Sequence, residues 1–171
     1  GILIKIITVI GFSGSGKTYF IETVIPLLKT YLNYNISVIK NVKHHQVDKE
    51  GKDSFKFTEA GASYSIIQNF DNATAIFLRR KDNKIESIVN WLEKGPYKTN
   101  ILFIEGYRNF NYPTVLCISN LDETEEQLTR YVKMISGRIC KNSFDIKQIF
   151  KIPIIDIKKK FSRFLEIFNI K

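Results

Sequence analysis

A chain of 171 residues with 44% hydrophobic and 25% charged side chains holds enough apolar material for one packed domain, which excludes a disordered or low-complexity protein. Its formal charge of +9 favours anionic ligands such as nucleotides or phosphorylated substrates. The lysines are spread along the chain, and the densest run, Lys158-Lys159-Lys160, reads as a solvated face, so a nucleic-acid surface is not expected. Two cysteines, Cys117 and Cys140, far apart and without a nearby histidine, define neither a zinc site nor a disulfide framework and suit a reducing cytosol.

The first segment, Ile2 to Ile10, is an almost unbroken aliphatic and β-branched run, the pattern of a parallel strand buried on both faces. It is too short to span a bilayer and has no basic flank or cleavage site. A soluble, cytoplasmic protein with no membrane contact is expected. Next comes Gly11-Phe12-Ser13-Gly14-Ser15-Gly16-Lys17-Thr18, which matches every fixed position of the phosphate-binding loop G-x-x-x-x-G-K-[ST]. From Tyr19 to Leu32, apolar residues at Phe20, Ile21, Val24, Ile25, Leu28 and Leu32 predict a helix packed on a sheet, with Pro26 expected to kink it. The motif therefore stands between a strand and a helix, where its chemistry requires it.

That chemistry assigns the residues. Gly11, Gly14 and Gly16 let successive N–H groups point at phosphate oxygens, with Ser13, Ser15 and the start of the helix at Tyr19 completing the cradle. Lys17 carries a point charge to the β- and γ-phosphates, and the Thr18 hydroxyl can ligate a magnesium ion that bridges them.

Beyond the first helix, Ile36 to Lys40 predicts a second strand and closes a right-handed βαβ unit. The polar stretch Asn41 to Asp53 has no periodicity and leaves the carboxyl end of that strand, the edge at which open parallel sheets bind ligands. His44 and His45 are adjacent and would point apart in an extended segment, which argues against a shared metal. Asp53 or Ser54 is placed to cap a helix from Phe55 to Ala62, ended by Gly61. Ser63 to Gln68 and Ala73 to Leu78 predict strands joined by the turn Asn69-Phe70-Asp71-Asn72, a hairpin at an antiparallel edge that makes the sheet mixed. A helix follows from Lys84 to Lys94 and stops at Gly95-Pro96.

Ile101 to Ile104 is an apolar strand ending in Glu105-Gly106. A carboxylate there serves as the second magnesium-site acid of phosphate-loop proteins; aspartate is usual, and glutamate reaches far enough to act on a metal-bound water. Gly106 permits close approach to a γ-phosphate. Thr114 to Ser119 is a further strand, followed by Asn120-Leu121-Asp122-Glu123, which keeps only the asparagine of a guanine-reading Asn-Lys-x-Asp loop and leaves GTP against ATP open. Glu123 to Met134 reads as helical, Ile152 to Ile155 as the last strand, and Ile157 to Phe168 as an amphipathic helix with Phe161, Leu165 and Phe168 inward.

The phosphate loop, the Ile-Lys-x-x-x-His-His pattern ending at His45, Asp48, Gly51-Lys52-Asp53-Ser54, Ala60-Gly61 and Glu105-Gly106-Tyr107-Arg108 together resemble the molybdopterin-guanine dinucleotide biosynthesis adapter family, MobB. The likeness covers residues 1 to about 110, with Glu50 standing where the family often has proline. It implies GTP and Mg2+ as ligands, slow GTPase activity, a homodimer, and assistance to the guanylyltransferase MobA in joining GMP to molybdopterin. Asp48 or Asp53, in the polar stretch that leaves the same sheet edge, could hold a magnesium-bound water, which would put Asp53 among the nucleotide-site residues. The expected fold is one domain over 1–171, three-layer α/β and phosphate-loop-like, with a mainly parallel sheet, helices on both faces and an antiparallel edge. A small-molecule kinase is the alternative from another class; it needs Lys17, Thr18 and Glu105 but also an arginine-bearing lid, which is not evident.

Overall fold

The computed structural model describes residues 3–142 and 145–171. Two compact units make up the chain, residues 42–91 and the remainder. Ile2, the first residue of the expected first strand, lies outside the described residues.

The larger unit is built on a five-stranded sheet of β1 (Lys5–Ile10), β2 (Ile36–Lys40), β5 (Ile101–Glu105), β6 (Thr114–Cys117) and β7 (Val132–Ser136), in the order β2-β5-β1-β6-β7. All four pairings are parallel. Such strands bury both faces. Val115 and Cys117 accordingly join one core cluster, and Leu116 and Ile118 the other. The first cluster is closed by α1 (Lys17–Leu32), through Phe20, Val24 and Leu28, and by α4 (Phe161–Ile167), through Phe164. Phe20 meets both Phe103 and Phe164 edge-on. α1 continues through Pro26, because that buried stripe outweighs the one hydrogen bond the proline removes. Against the other cluster pack Leu121 and Leu128 and the antiparallel hairpin of β8 (Gln148–Ile149) and β9 (Ile152–Pro153).

The smaller unit contains α2 (Asp53–Glu59), the strands β3 (Ser65–Gln68) and β4 (Thr74–Phe77), and most of α3 (Ile85–Lys94), whose last turn belongs to the larger unit. The antiparallel pair is present as expected, but as a two-stranded ribbon of its own and not as an edge of the central sheet. α2 begins earlier than expected, with Lys52 at the N-cap and no side-chain cap bond. Asp53 is therefore its first residue and not its cap. The Ser54 hydroxyl donates instead to Asp48 Oδ1 at 2.7 Å.

Three expectations fail in the last third. Glu123 to Met134 is not a helix. A reciprocal capping box between Asn120 and Glu123 closes a short 3-10 turn, Leu121–Glu123; another, Glu125–Gln127, follows, and Leu128 is already extended. The chain then enters β7, because Val132, Met134 and Ile135 gain more from pairing beside β6 and burial in the two clusters than from continuing a surface helix. Ile152 to Ile155 is likewise no sheet-spanning strand: β9 is one arm of the hairpin, and Ile154 adds only a parallel bridge to Ile135. The final helix starts at Phe161 and not at Ile157, since the Asp156 carbonyl accepts the N–H groups of Lys159 and Lys160 in a preceding turn. Phe164 is its fully buried residue, while Phe161 and Leu165 are half-buried.

Candidate functional site

The phosphate loop joins the carboxyl end of β1 to α1, at the centre of the sheet. Gly16 is the N-cap of α1 in the left-handed region, at φ 97°, a conformation a side chain would strain. Gly11 faces the carbonyl of Cys117 at the end of β6, with which any Cβ would collide. Ser15 N–H donates to the Phe12 carbonyl at 3.1 Å, and the Arg138 N–H donates to the Ser15 carbonyl at 2.9 Å. The loop is thus wedged between the ends of β6 and β7.

Lys17 folds back over the loop. Its Nζ donates to the Gly11 carbonyl at 2.6 Å and to the Phe12 carbonyl at 3.1 Å. Burial pushes its pKa below the ordinary range, with the Glu105 carboxylate working in the opposite direction. These carbonyls are the kind of oxygen acceptor that terminal phosphates also present, so the side chain is already oriented for an anion over the loop. Thr18 and Ser13 are exposed, and Ser15 is buried with its hydroxyl unpaired among the described residues.

Glu105 ends β5 in register with Val9 of β1 and Lys40 of β2. It is only 8% exposed, an unusual position for a carboxylate, and its Oε2 lies 3.9 Å from Lys40 Nζ. Gly106, at φ 89°, donates its N–H to the Val9 carbonyl and accepts from Asn41 Nδ2 at 3.3 Å. Arg108 donates to Gln127 Oε1 at 2.9 Å and lies over the Phe12 ring, 5.4 Å from its centroid. Phosphate loop, Lys17, Thr18, Glu105 and Gly106 are therefore gathered at one sheet edge, as the motif spacing predicts. Asp53, His44 and His45 stand in the smaller unit, exposed. Among the described residues no three His, Cys, Asp or Glu side chains converge on a metal position.

Gly137 and the two lysines beside Tyr19, Lys141 and Lys158, escaped the sequence reading of the site. Gly137 follows β7 at φ 96°, and a Cβ there would collide with the Ser15 carbonyl. The glycine is what lets β7 touch the loop. Its only sequence signal is a glycine after an apolar run, which the expected helix over Glu123–Met134 obscured. Tyr19, assigned to the cradle, meets two lysines: Lys141 Nζ lies 4.6 Å and Lys158 Nζ 5.3 Å from its ring centroid.

A parallel sheet with a glycine-lined loop at its central strand, a lysine folded over that loop and an acid on the neighbouring strand define a phosphate-loop α/β protein. The family model described as molybdopterin guanine dinucleotide synthesis protein B matches residues 6–137. The chain belongs to this MobB family, which places it in molybdopterin guanine dinucleotide biosynthesis. It is 33% identical over 155 residues to the molybdopterin-guanine dinucleotide biosynthesis adapter protein of Haemophilus influenzae, covering 87% of this chain and 85% of that one. A putative adapter protein of the same description from Methanocaldococcus jannaschii is 30% identical over 126 residues, covering 71% of this chain and half of that protein. Among solved structures, Bacillus subtilis MobB superposes with a TM-score of 0.72 at 24% identity, over 98% of this chain and 99% of that one, a likeness of fold. Among the described residues no helix is long and apolar enough to cross a membrane.

Proposed function

We propose that this chain is a GTP-binding adapter that assists a MobA-like guanylyltransferase in attaching GMP to molybdopterin, and that it hydrolyses GTP slowly. The observation that carries the reading is Lys17: a half-buried ammonium held over a glycine-lined loop by two backbone carbonyls, beside a buried glutamate. A cation kept there against its desolvation cost is understandable if an anion replaces those carbonyls.

In this reading the loop N–H groups and Lys17 bind and orient the β- and γ-phosphates. The exposed Thr18 hydroxyl and, through a water, the Glu105 carboxylate would hold Mg2+, consistent with an ion that draws few ligands from protein and the rest from phosphate and water. Bound there, the ion neutralises charge on the phosphate oxygens. Glu105 also orients a hydrolytic water and accepts its hydrogen bond, and Arg108 stays anchored to Gln127 and Phe12 instead of reaching for phosphate. Arg108 so occupied favours slow hydrolysis over rapid transfer. The adapter role follows from the family, and the homodimer and the cytoplasm are the setting we assign to it.

Titrating the protein with GTP and with ATP, each with and without magnesium, tests the nucleotide half. GTP binding that requires magnesium supports the reading, and no binding of either nucleotide refutes it. The partner half is tested by adding the protein to a molybdenum cofactor guanylyltransferase supplied with GTP and molybdopterin. Product formation unaffected by the adapter, or equally affected by its Lys17→Ala variant, counts against it. Light scattering in solution reads the dimer.

A further inference from the structure

Beside the first turn of α1 lies a second group of polar side chains that the phosphate chemistry does not use. Gly137 backs onto Ser15 of the phosphate loop, and the 3-10 turn Arg138–Lys141 continues from it. Facing this turn is the segment Asp156 to Lys158. Together with Tyr19 the two segments enclose a hollow of about 70 Å3, and Cys140 and Asp156 are shared with the wall of a neighbouring hollow of about 400 Å3, in which Leu121 and Ile139 supply apolar surface. The larger volume is within the ~300–1,000 Å3 that small-molecule sites occupy.

The chemistry of the walls is specific. Lys141 and Lys158 converge on the ring of Tyr19. The phenol is pulled below its ordinary pKa, first by its hydrogen bond with Lys158. Two ammonium groups on one ring repel each other, and an anionic or electron-rich group between them relieves that repulsion. Behind them Asp156 Oδ1 accepts the Lys158 N–H at 3.1 Å. Its other carboxylate oxygen takes no hydrogen bond among the described residues, and Asp156 forms no ion pair there. Tyr19, next to Thr18 of the loop, borders this hollow, so the hollow adjoins the helix terminus on which a triphosphate would rest.

We infer that Asp156 reads the base of the bound nucleotide, and that Tyr19, Lys141 and Lys158 flank the base and the sugar-phosphate leading to it. This rests on the nucleotide reading above and supplies what the loop Asn120-Leu121-Asp122-Glu123 lacks, since the Asn120 and Glu123 side chains are spent on their capping box. The selectivity follows from hydrogen-bond types. A carboxylate only accepts. Guanine presents two adjacent donors, N1–H and the exocyclic amine, whereas adenine places an acceptor at N1 and sets it against the carboxylate. Xanthine differs from guanine by a carbonyl in place of that amine. An amide, which donates as well as accepts, suits it better.

The test uses the full-length protein and magnesium complexes of GTP, ATP and XTP in calorimetric titrations of the native protein, Asp156→Asn, Asp156→Ala and Lys17→Ala. Asparagine keeps the Oδ1 acceptor for Lys158 N–H, so the turn is retained, and circular dichroism checks it. The native protein should prefer GTP over ATP. Asp156→Asn should bind GTP about 10- to 100-fold more weakly and XTP more tightly than GTP, and Asp156→Ala should lose GTP without gaining XTP. Equal native affinity for GTP and ATP overturns the inference, as does an Asp156→Asn variant whose preferences match the native protein. In both cases GTP binding that is lost in Lys17→Ala leaves the nucleotide reading standing. A native protein that binds no triphosphate refutes both. Amine acetylation of the native protein gives an independent readout: GTP should protect Lys141 and Lys158, and unprotected lysines under saturating GTP count against the placement.

Discussion

Replacing Lys17 by alanine separates what the residue does for a ligand from what it does for the fold. The side chain makes hydrogen bonds to the carbonyls of Gly11 and Phe12. Each charge-assisted bond is worth ~1.5–3 kcal/mol. Against this stands the half-buried charge itself, whose desolvation the substitution removes; of the two freed carbonyls, that of Phe12 is open to water and that of Gly11 is partly buried. The two contributions oppose each other, so the net loss of stability should stay within about 2 kcal/mol. Nothing offsets the loss on the ligand side. Two such bonds to phosphate oxygens come to ~3–6 kcal/mol, which is roughly a 10²- to 10⁴-fold weakening of GTP binding. Calorimetric titration with GTP and magnesium beside urea denaturation measures both numbers. A folded variant with native GTP affinity would refute the reasoning, and so would one destabilised by more than about 4 kcal/mol, which would make Lys17 a structural residue.

The pH dependence gives a second check on the same side chain. Its folded-state pKa lies below the usual 10.5, chiefly through burial. Between that lowered value and 10.5 the unfolded chain binds more protons, so the contribution of Lys17 to stability rises with pH across this window. Triphosphate binding has the opposite sign. Phosphate oxygens favour the ammonium, binding takes up a proton in the window, and GTP affinity should fall as pH rises through it. In Lys17→Ala the stability contribution and the proton uptake should both vanish, as read by titrations in buffers of different ionisation enthalpy.

Gly137→Ala should cost about 2–5 kcal/mol in denaturant unfolding, combining a left-handed φ with a Cβ driven into the Ser15 carbonyl, whereas Gly14→Ala, with nothing within 4 Å, should cost only ~1–2 kcal/mol. Equal costs at the two positions would mean that β7 does not press on the loop. Thr18→Ala should weaken GTP binding in magnesium about tenfold or more and have little effect in excess chelator, and a loss that is the same in both would remove the hydroxyl from the metal site. Cys117 is fully buried and its thiol is pushed far above the usual range by desolvation, so iodoacetamide at pH 8 should leave it unmodified until the protein unfolds, while the partly buried Cys140 reacts slowly. Rapid native-state labelling of Cys117 by mass spectrometry would contradict the packing of β6 on the loop.

What could be read from the residues alone divides along physical lines. The phosphate loop, its flanking strand and helix, and Glu105 were legible because each carries a local signal: a motif with a backbone reason for its glycines, short mainly apolar runs before Gly11 and Glu105, and a stripe of helical period. The region after β6 was not, because its decisive interactions are distant in sequence. Glu123-Thr124-Glu125-Glu126-Gln127 is rich in helix formers and by propensity continues as a helix. Its turn ends where Thr124 and Gln127 are drawn into the interior, Gln127 to hold Arg108 and the Glu123 carbonyl. The same segment then spends Val132, Met134 and Ile135 on a strand whose partners, Thr114, Val115 and Leu116, lie far upstream, a pairing that periodicity cannot reveal.

The misread segment also changes the site. Once β7 is a strand, Gly137 and Arg138 fall at the carboxyl edge of the sheet, where the Arg138 N–H reaches the Ser15 carbonyl. The phosphate loop is then supported from β6 by Cys117 and from β7 by Gly137, and both contacts are to backbone oxygens that leave no room for a side chain. Such contacts fix the direction of the loop's N–H groups before any ligand arrives. Preorganised donors of this kind lose little freedom when an anion binds, which is how a short exposed loop can hold a triphosphate tightly. The turn that follows Gly137 carries Lys141 to the ring of Tyr19, in the first turn of α1. Support of the phosphate loop and the floor proposed for the base are therefore one continuous piece of chain, and a change that moves β7 should disturb triphosphate affinity and base preference together.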